Sequence, residues 1–334
     1  MFRIAVIKIA FLTASIFLIG STSGDTADLR VWEEIAWSPT GELIALSTSA
    51  GSPRCGEEKA FVYLVEPDTL KLIHRLEAGN CAIGSLDWNS DGTLLAGAGL
   101  GSPGLFIWDV ESGQIITTSQ IGGEGLISAQ WHPTLNQVAV TSIGEVAAIV
   151  DASSGELVRE VYLGIGVDWS PLGDQLAVVG RDDNDISIVN GLTGSLQLVL
   201  AGQSMPTKGL DWSPDGLYIA GVGTDDTIRI WNTSGVLISS FSLNGAIRVR
   251  WSPDSQRLAA GGIESLVIWD LAFEEIIDVI PSNVSINSFD WSPDGKQLAY
   301  GGEIIHSAPP TFEVVTVAEK KRGLIYQAPT TSSE

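Results

Sequence analysis

The sequence predicts an all-β fold, a seven-bladed β-propeller of four-stranded antiparallel blades, on three observations. A tryptophan followed by a turn rich in Pro, Asp and Gly, and then by a short apolar run, occurs at Trp37, Trp88, Trp131, Trp169, Trp212, Trp251 and Trp291. Repetition at a period of about 40 residues means that one small β unit is stacked on itself, because a single unit cannot bury both of its faces. The composition, 44% hydrophobic and 17% charged with 37 glycines, suits many short strands joined by tight turns.

The fifth repeat shows the grammar most fully. Gly209 to Trp212 reads as a first strand, and Ser213-Pro214-Asp215-Gly216 stops it, with proline pre-set for the second turn position and glycine at the fourth. Leu217 to Val222 is a second strand and Gly223 to Asp226 a loop. Thr227 to Trp231 alternates as a partly buried third strand, and Thr233-Ser234-Gly235 turns into a fourth, Val236 to Phe241. The full Trp-Ser-Pro-Asp-Gly string recurs from Trp291, with variants at Trp37, Trp88, Trp169 and Trp251; the turn after Trp131 matches least. Third strands end in Ile107-Trp108-Asp109, Ile230-Trp231-Asn232 and Ile268-Trp269-Asp270.

These residues resemble the WD-repeat β-propeller family over about residues 30 to 328. A second resemblance, to the periplasmic Tol-type propellers, rests on the Trp-Ser-Pro-Asp-Gly-Lys string from Trp291 to Lys296. The Ile-Trp-Asp/Asn strand ends and the near-forty spacing favour the WD type. One departure matters: the Gly-His pair that commonly precedes the first strand in that family has no counterpart, since His74, His132 and His306 fall elsewhere. Blade rigidity then comes mainly from apolar packing, with loop acids such as Asp185 and Asp226 bonding backbone amides.

The N-terminus reads as a separate object. Arg3 and Lys8 precede the apolar stretch Ile9 to Gly20, and Ser21-Thr22-Ser23-Gly24 follows before the first acid, Asp25. That is the layout of a secretory signal, residues 1–24, ahead of a single propeller over 25–328 and a tail at 329–334. As a helix the apolar core reaches about 18 Å, short of a hydrocarbon layer of about 30 Å, so membrane attachment would need an uncleaved signal. Localisation is expected to be periplasmic or extracellular. Export makes a disulfide between Cys55 and Cys81 plausible, since both lie in loops expected on one face of the ring. Such a bridge, closing about 26 residues, is worth about 3 kcal/mol on the chain-entropy model. Two free thiols are the other reading.

Charge narrows the partners. The chain carries −22 at neutral pH, which repels phosphate backbones and anionic lipid and disfavours nucleic acid. The residue before the repeat tryptophan is Asp87, Asp168, Asp211 or Asp290 in four repeats and Arg250 in a fifth. First strands line the axis of a propeller, so these side chains are expected to form a ring there. Either each Asp caps backbone amides of its own or a neighbouring turn, or the ring holds a hard divalent cation through several carboxylate oxygens.

Loops between second and third strands are longest in blades 7, 1 and 2, which places Arg54, Glu57, Glu58, His306, Pro309 and Pro310 in one patch. Binding contacts concentrate on such loops, although extra residues also serve to cover the ring seam. Catalysis finds little footing. No histidine has a Ser or Cys constellation or metal-ligand spacing around it, and no phosphate-cradling motif is present. Asp182/Asp183 and Asp225/Asp226 read as solvated loop acids. No cofactor is expected. The WD resemblance implies a non-catalytic scaffold, a monomeric domain that binds protein partners through the 7-1-2 loop face. A cation- or sugar-binding propeller, or a hydrolase using channel carboxylates, is the alternative.

Overall fold

Each repeat tryptophan is followed by a side chain that accepts backbone hydrogen bonds, and this acceptor builds the turn. In the fifth repeat the buried Ser213 Oγ takes the Tyr218 N–H at 2.9 Å and donates to Asp215 Oδ1 at 2.6 Å. The Gly216 N–H closes the turn on the Ser213 carbonyl at 2.8 Å, with Gly216 at a φ of 75° that favours glycine. Ser38, Ser170, Ser252 and Ser292 play the same part. Asn89 replaces serine in the second repeat, its Oδ1 accepting from Leu94 N–H at 2.9 Å. In the poorly matching third repeat His132 holds the turn through different N–H groups. Its Nδ1 accepts from the N–H groups of Thr134 and Leu135, which leaves Nε2 to donate to the Gly173 carbonyl at 3.0 Å. Burial lowers the pKa of this ring and so favours the neutral form the bonds require.

The computed structural model describes residues 32–48, 59–101, 103–121, 125–142, 146–180, 184–203, 206–304 and 312–317. Among these residues the chain forms six antiparallel sheets in sequence order, five of four strands and a last one of five. This corrects the expected seven four-stranded blades: six sheets carry the seven tryptophan repeats. The reason is local. In the first five sheets the chain leaves each sheet before the next begins, whereas the last sheet holds two long strands, Arg257–Asp270 and Glu275–Trp291. The turn within the first, with Glu264 at a φ of 63°, is too tight to interrupt it, and Ile263 pairs with Ser285. That pairing joins the sixth repeat to the seventh in one ladder.

Packing runs around the ring from sheet to sheet. Val62, Leu64 and Leu76 of the first sheet share a buried cluster with Trp88, Phe106 and Trp108 of the second. Similar clusters join each later sheet to the next. Ile35, Trp37 and Leu46 of the first sheet pack with Ala299 and Phe312 of the last, so the ring closes by side-chain packing between its ends. Residues 318–334 lie outside the described residues, as does the segment 1–24 expected to be a secretory signal. Among the described residues no helix is long and apolar enough to cross a membrane.

The axial channel as candidate functional site

The innermost strand of each repeat ends in its tryptophan, and residues one and three positions before it share a face by the two-residue alternation of a strand. Position minus one holds Asp87, Asp168, Asp211, Arg250 and Asp290, and the structure shows what the carboxylates do. Asp87 Oδ2 accepts the Trp131 N–H at 2.6 Å, Asp168 Oδ2 that of Trp212 at 2.6 Å, Asp211 Oδ2 that of Trp251 at 2.6 Å, and Asp290 Oδ2 that of Trp37 at 2.7 Å. Each Asp therefore clasps the backbone of the following repeat's tryptophan, and the last clasp spans the seam of the ring.

Where the preceding residue is not Asp, the bond reverses its source. Indole Nε1–H groups of Trp88, Trp169 and Trp291 donate to the carbonyls of Ala36, Gln130 and Arg250 at 3.1, 3.2 and 3.1 Å. At three clasped junctions the indole N–H of Trp131, Trp212 and Trp251 has no acceptor. A junction thus holds either a carboxylate-to-amide bond or an indole-to-carbonyl bond, and the residue before the tryptophan decides which.

Position minus three supplies residues that the repeat pattern left unremarked: Glu34, Arg248 and Ser288. Glu34 is 2% exposed and bonds Arg248 through Oε1, while no protein donor reaches its Oε2. Ser288 Oγ, between them in ring order, accepts from the Ile35 N–H at 2.8 Å and lies 3.4 Å from Arg248 Nη1. Arg250 Nη1 lies 3.3 Å from Asp211 Oδ1, and its Nη2 lies 3.9 Å from Glu34 Oε1. The signal for these three was present: charged or hydroxyl residues at a fixed offset from the repeat tryptophan, on the face already assigned to the ring.

Burial pushes the carboxyls of Asp87, Asp168 and Asp211 up to about 7 and that of Asp290 up to about 6, against the opposing pull of the amide bonds and Arg250. Burial works against charge on Arg250 too, but Asp211, Glu34, Asp290 and Asp168 outweigh it and raise its pKa. Asp211 and Arg250 keep 16% and 22% of their side-chain surface open, so channel water offsets part of the burial cost.

Among the described residues two cavities open on the axis, of about 300 Å³ on the side of the proline turns and about 480 Å³ on the other. Glu34, Gln130 and Arg250 line both and so mark the waist between them. Among the described residues no group of three or more His, Cys, Asp or Glu is placed to hold a metal ion, so the divalent-cation reading of the ring has no such cluster behind it. Asp226 bonds the Gly245 N–H at 3.0 Å, as expected of a loop acid, and Asp225 pairs with Arg229 at 2.8 Å. Arg54, Glu57, Glu58, His306, Pro309 and Pro310 lie outside the described residues, as do Asp182 and Asp183. Cys81 is not a free thiol, and Cys55 lies outside the described residues.

Comparison with known proteins agrees with this architecture. A family model described as the WD40 domain of anaphase-promoting complex subunit 4 matches residues 35–134, and the WD domain, G-beta repeat model matches residues 194–232. The human F-box-like/WD repeat-containing protein TBL1Y (Homo sapiens) is 30% identical over 152 residues, 40% of this chain and 27% of that protein. The chain thus matches little more than a quarter of that relative's length. The solved β-propeller domain of Cps50 (Swd1) from Myceliophteria thermophila superposes with a TM-score of 0.74 at 16% identity, covering 86% of this chain and 97% of that one, a likeness of fold.

Proposed function

We propose that the chain is a non-catalytic scaffold that binds its protein partner through the loops of repeats 7, 1 and 2, a reading supported by its likeness to WD-repeat models and to a WD-repeat relative, whose family members generally serve as protein-interaction scaffolds. One observation carries the preference for a scaffold over a hydrolase. The four channel carboxylates best placed for acid–base work are each committed to a neighbouring tryptophan amide. A carboxylate held in this way organises the ring. The net charge of −22 supports a partner other than nucleic acid. The loops that carry Arg54, Glu57, Glu58, His306, Pro309 and Pro310 are the longest of their kind, and rigid scaffolds present their contacts on such loops.

Affinity capture with the full chain tests the patch against a version with the 49–58 and 305–310 loops shortened. Loss of a captured partner at unchanged melting temperature is expected; equal capture by both rejects the patch. Export belongs to the same proposal, with cleavage near Ser23 to Asp25 and a Cys55–Cys81 bridge in the mature chain. Intact mass of secreted material is expected to start in that window and to rise by two hydrogens on reduction. A retained Met1, or no change on reduction, removes the leader or the bridge respectively.

A further inference from the structure

We propose that the outer side of the strand Phe312–Thr316 is covered by the chain's own C-terminal segment, residues 323–328, laid antiparallel beside it with Ile325 opposite Val315. Among the described residues Phe312–Thr316 stands last in its sheet, whereas the third strand of each of the first five repeats lies between a second and a fourth. Its burial differs accordingly. Val314 and Val315 pair with Ala299 and Leu298 as Ile107 and Trp108 pair with Ala96 and Leu95. Ile107 and Trp108 are fully buried, as are Ile230 and Trp231 in the fifth repeat, yet Val314 and Val315 are only half-buried. An edge of this kind offers a row of backbone groups to whatever strand reaches it first.

A pattern common to the described repeats fixes both the occupant and its register. Where a third strand turns into a fourth, a residue with positive φ stands two positions before the aliphatic residue that pairs with the third strand. Gly113 precedes Ile115, which pairs with Trp108, and Gly235 precedes Leu237, which pairs with Trp231. Leu70 and Glu274, each at a φ of 52°, stand in the same way before Leu72 and Ile276. Beyond Val317 the chain offers a glycine so placed once, in Gly323-Leu324-Ile325. Val317 has already entered the turn, since its N–H donates to the Lys296 carbonyl at 2.8 Å as that of Val110 does to Thr93 at 3.0 Å. The connection from Val317 to Gly323 is longer than that from Val110 to Gly113 and takes Lys320, Lys321 and Arg322 into the turn. Ile325 and Tyr326 favour a strand, and Pro329, without an N–H, ends it. Ahead of Trp32 neither Gly20 nor Gly24 has an aliphatic residue two positions on, and the charge of −22 opposes a second copy on this edge. The last sheet then holds six strands, and the number of sheets stays at six.

Hydrogen–deuterium exchange of the full chain, resolved to single amides, tests the proposal. Alternate amides of 324–328 are expected to exchange at least about tenfold more slowly than those of 330–334. Ile325→Pro removes a donor from the ladder; it is expected to abolish this protection and to speed the outward-facing amides of 313–316 by about tenfold or more. Thr331→Pro, past the segment, and Leu29→Pro, ahead of the first strand, are expected to change neither. Should Ile325→Pro fail to fold, the comparison of 324–328 with 330–334 in the unaltered chain decides. Equal exchange in those two stretches overturns the proposal, as does unchanged exchange at 313–316 in Ile325→Pro. Loss of protection at 313–316 in Leu29→Pro overturns it in favour of the N-terminal segment, and protection that falls on dilution overturns it in favour of a second copy.

Discussion

Trp231→Ala is expected to destabilise the protein by about 3–5 kcal/mol, the range for deleting a buried aromatic side chain. Trp231 is fully buried at the contact between the fourth and fifth sheets, in a cluster with Ile186, Leu200, Trp212 and Ile219. Its Nε1–H donates to the Ala201 carbonyl at 2.9 Å, so truncation also strips that carbonyl of its donor. The site is shaped around the indole: a Cβ on Gly221 would lie 3.2 Å from Trp231 Cζ3. Trp108 repeats the arrangement, bonding the Glu77 carbonyl at 3.1 Å, with a Cβ on Gly97 reaching 2.6 Å from its ring. Trp231→Phe keeps most of the apolar volume and is expected to lose about 1–2 kcal/mol with the bond. Trp269, stacked on Phe241 with ring centroids 4.4 Å apart, has no acceptor for its Nε1–H, so its Phe variant should lose less. Urea midpoints followed by far-UV circular dichroism would measure all three. Equal losses in Trp231→Phe and Trp269→Phe would refute the role given to the indole bond.

Arg250→Met is expected to destabilise by about 3–5 kcal/mol at pH 8, because it leaves neighbouring carboxylates without their shared cation. The loss should shrink on acidification. Folded-state carboxyls raised above the usual 3.8 bind protons more tightly than the unfolded chain does. Their contribution to stability is whole below about pH 4 and is lost as pH rises through about 6 for Asp290 and about 7 for Asp87, Asp168 and Asp211. Wild-type stability from this source therefore falls between about pH 4 and 7. Arg250 holds all four pKa values down, so its removal pushes them higher and makes the fall steeper. Asp294, lowered to about 2, acts in the opposite sense and only in more acidic solution. The overall charge of −22 also disfavours the compact state at high pH, but wild type and variant share that repulsion to within one charge. The difference between their urea midpoints at pH 5.5 and pH 8 isolates the channel, and a difference independent of pH would rule out this account.

Much of the fold was legible because its signals are short-range. The Trp-Ser-Pro-Asp-Gly turns close through bonds reaching no more than five residues, such as Tyr218 N–H to Ser213 Oγ, and strand alternation repeats every two residues. His132 is the instructive exception. It looked like a failed match, yet its imidazole nitrogen accepts the N–H groups two and three residues on and so also organises its turn, where the serines accept the N–H five residues on; hydrogen-bond chemistry allows this and a search for a repeated string does not register it.

From residues alone came the repeat and its period, the turn chemistry, the strand pattern and the ring of acids before the tryptophans, because each depends on neighbours along the chain. Folding in three dimensions settled the rest. Residues 44 apart meet in the Asp87–Trp131 clasp, 253 apart in the Asp290–Trp37 clasp, and 214 apart in the Glu34–Arg248 pair. The merging of two repeats into the sixth sheet turned on whether one tight turn breaks a ladder, and each Asp or indole met its partner in the adjacent repeat only because ring closure sets those strands side by side. These outcomes depend on the relative placement of strands brought together by ring closure, and no local pattern encodes a distance between segments that are remote in sequence.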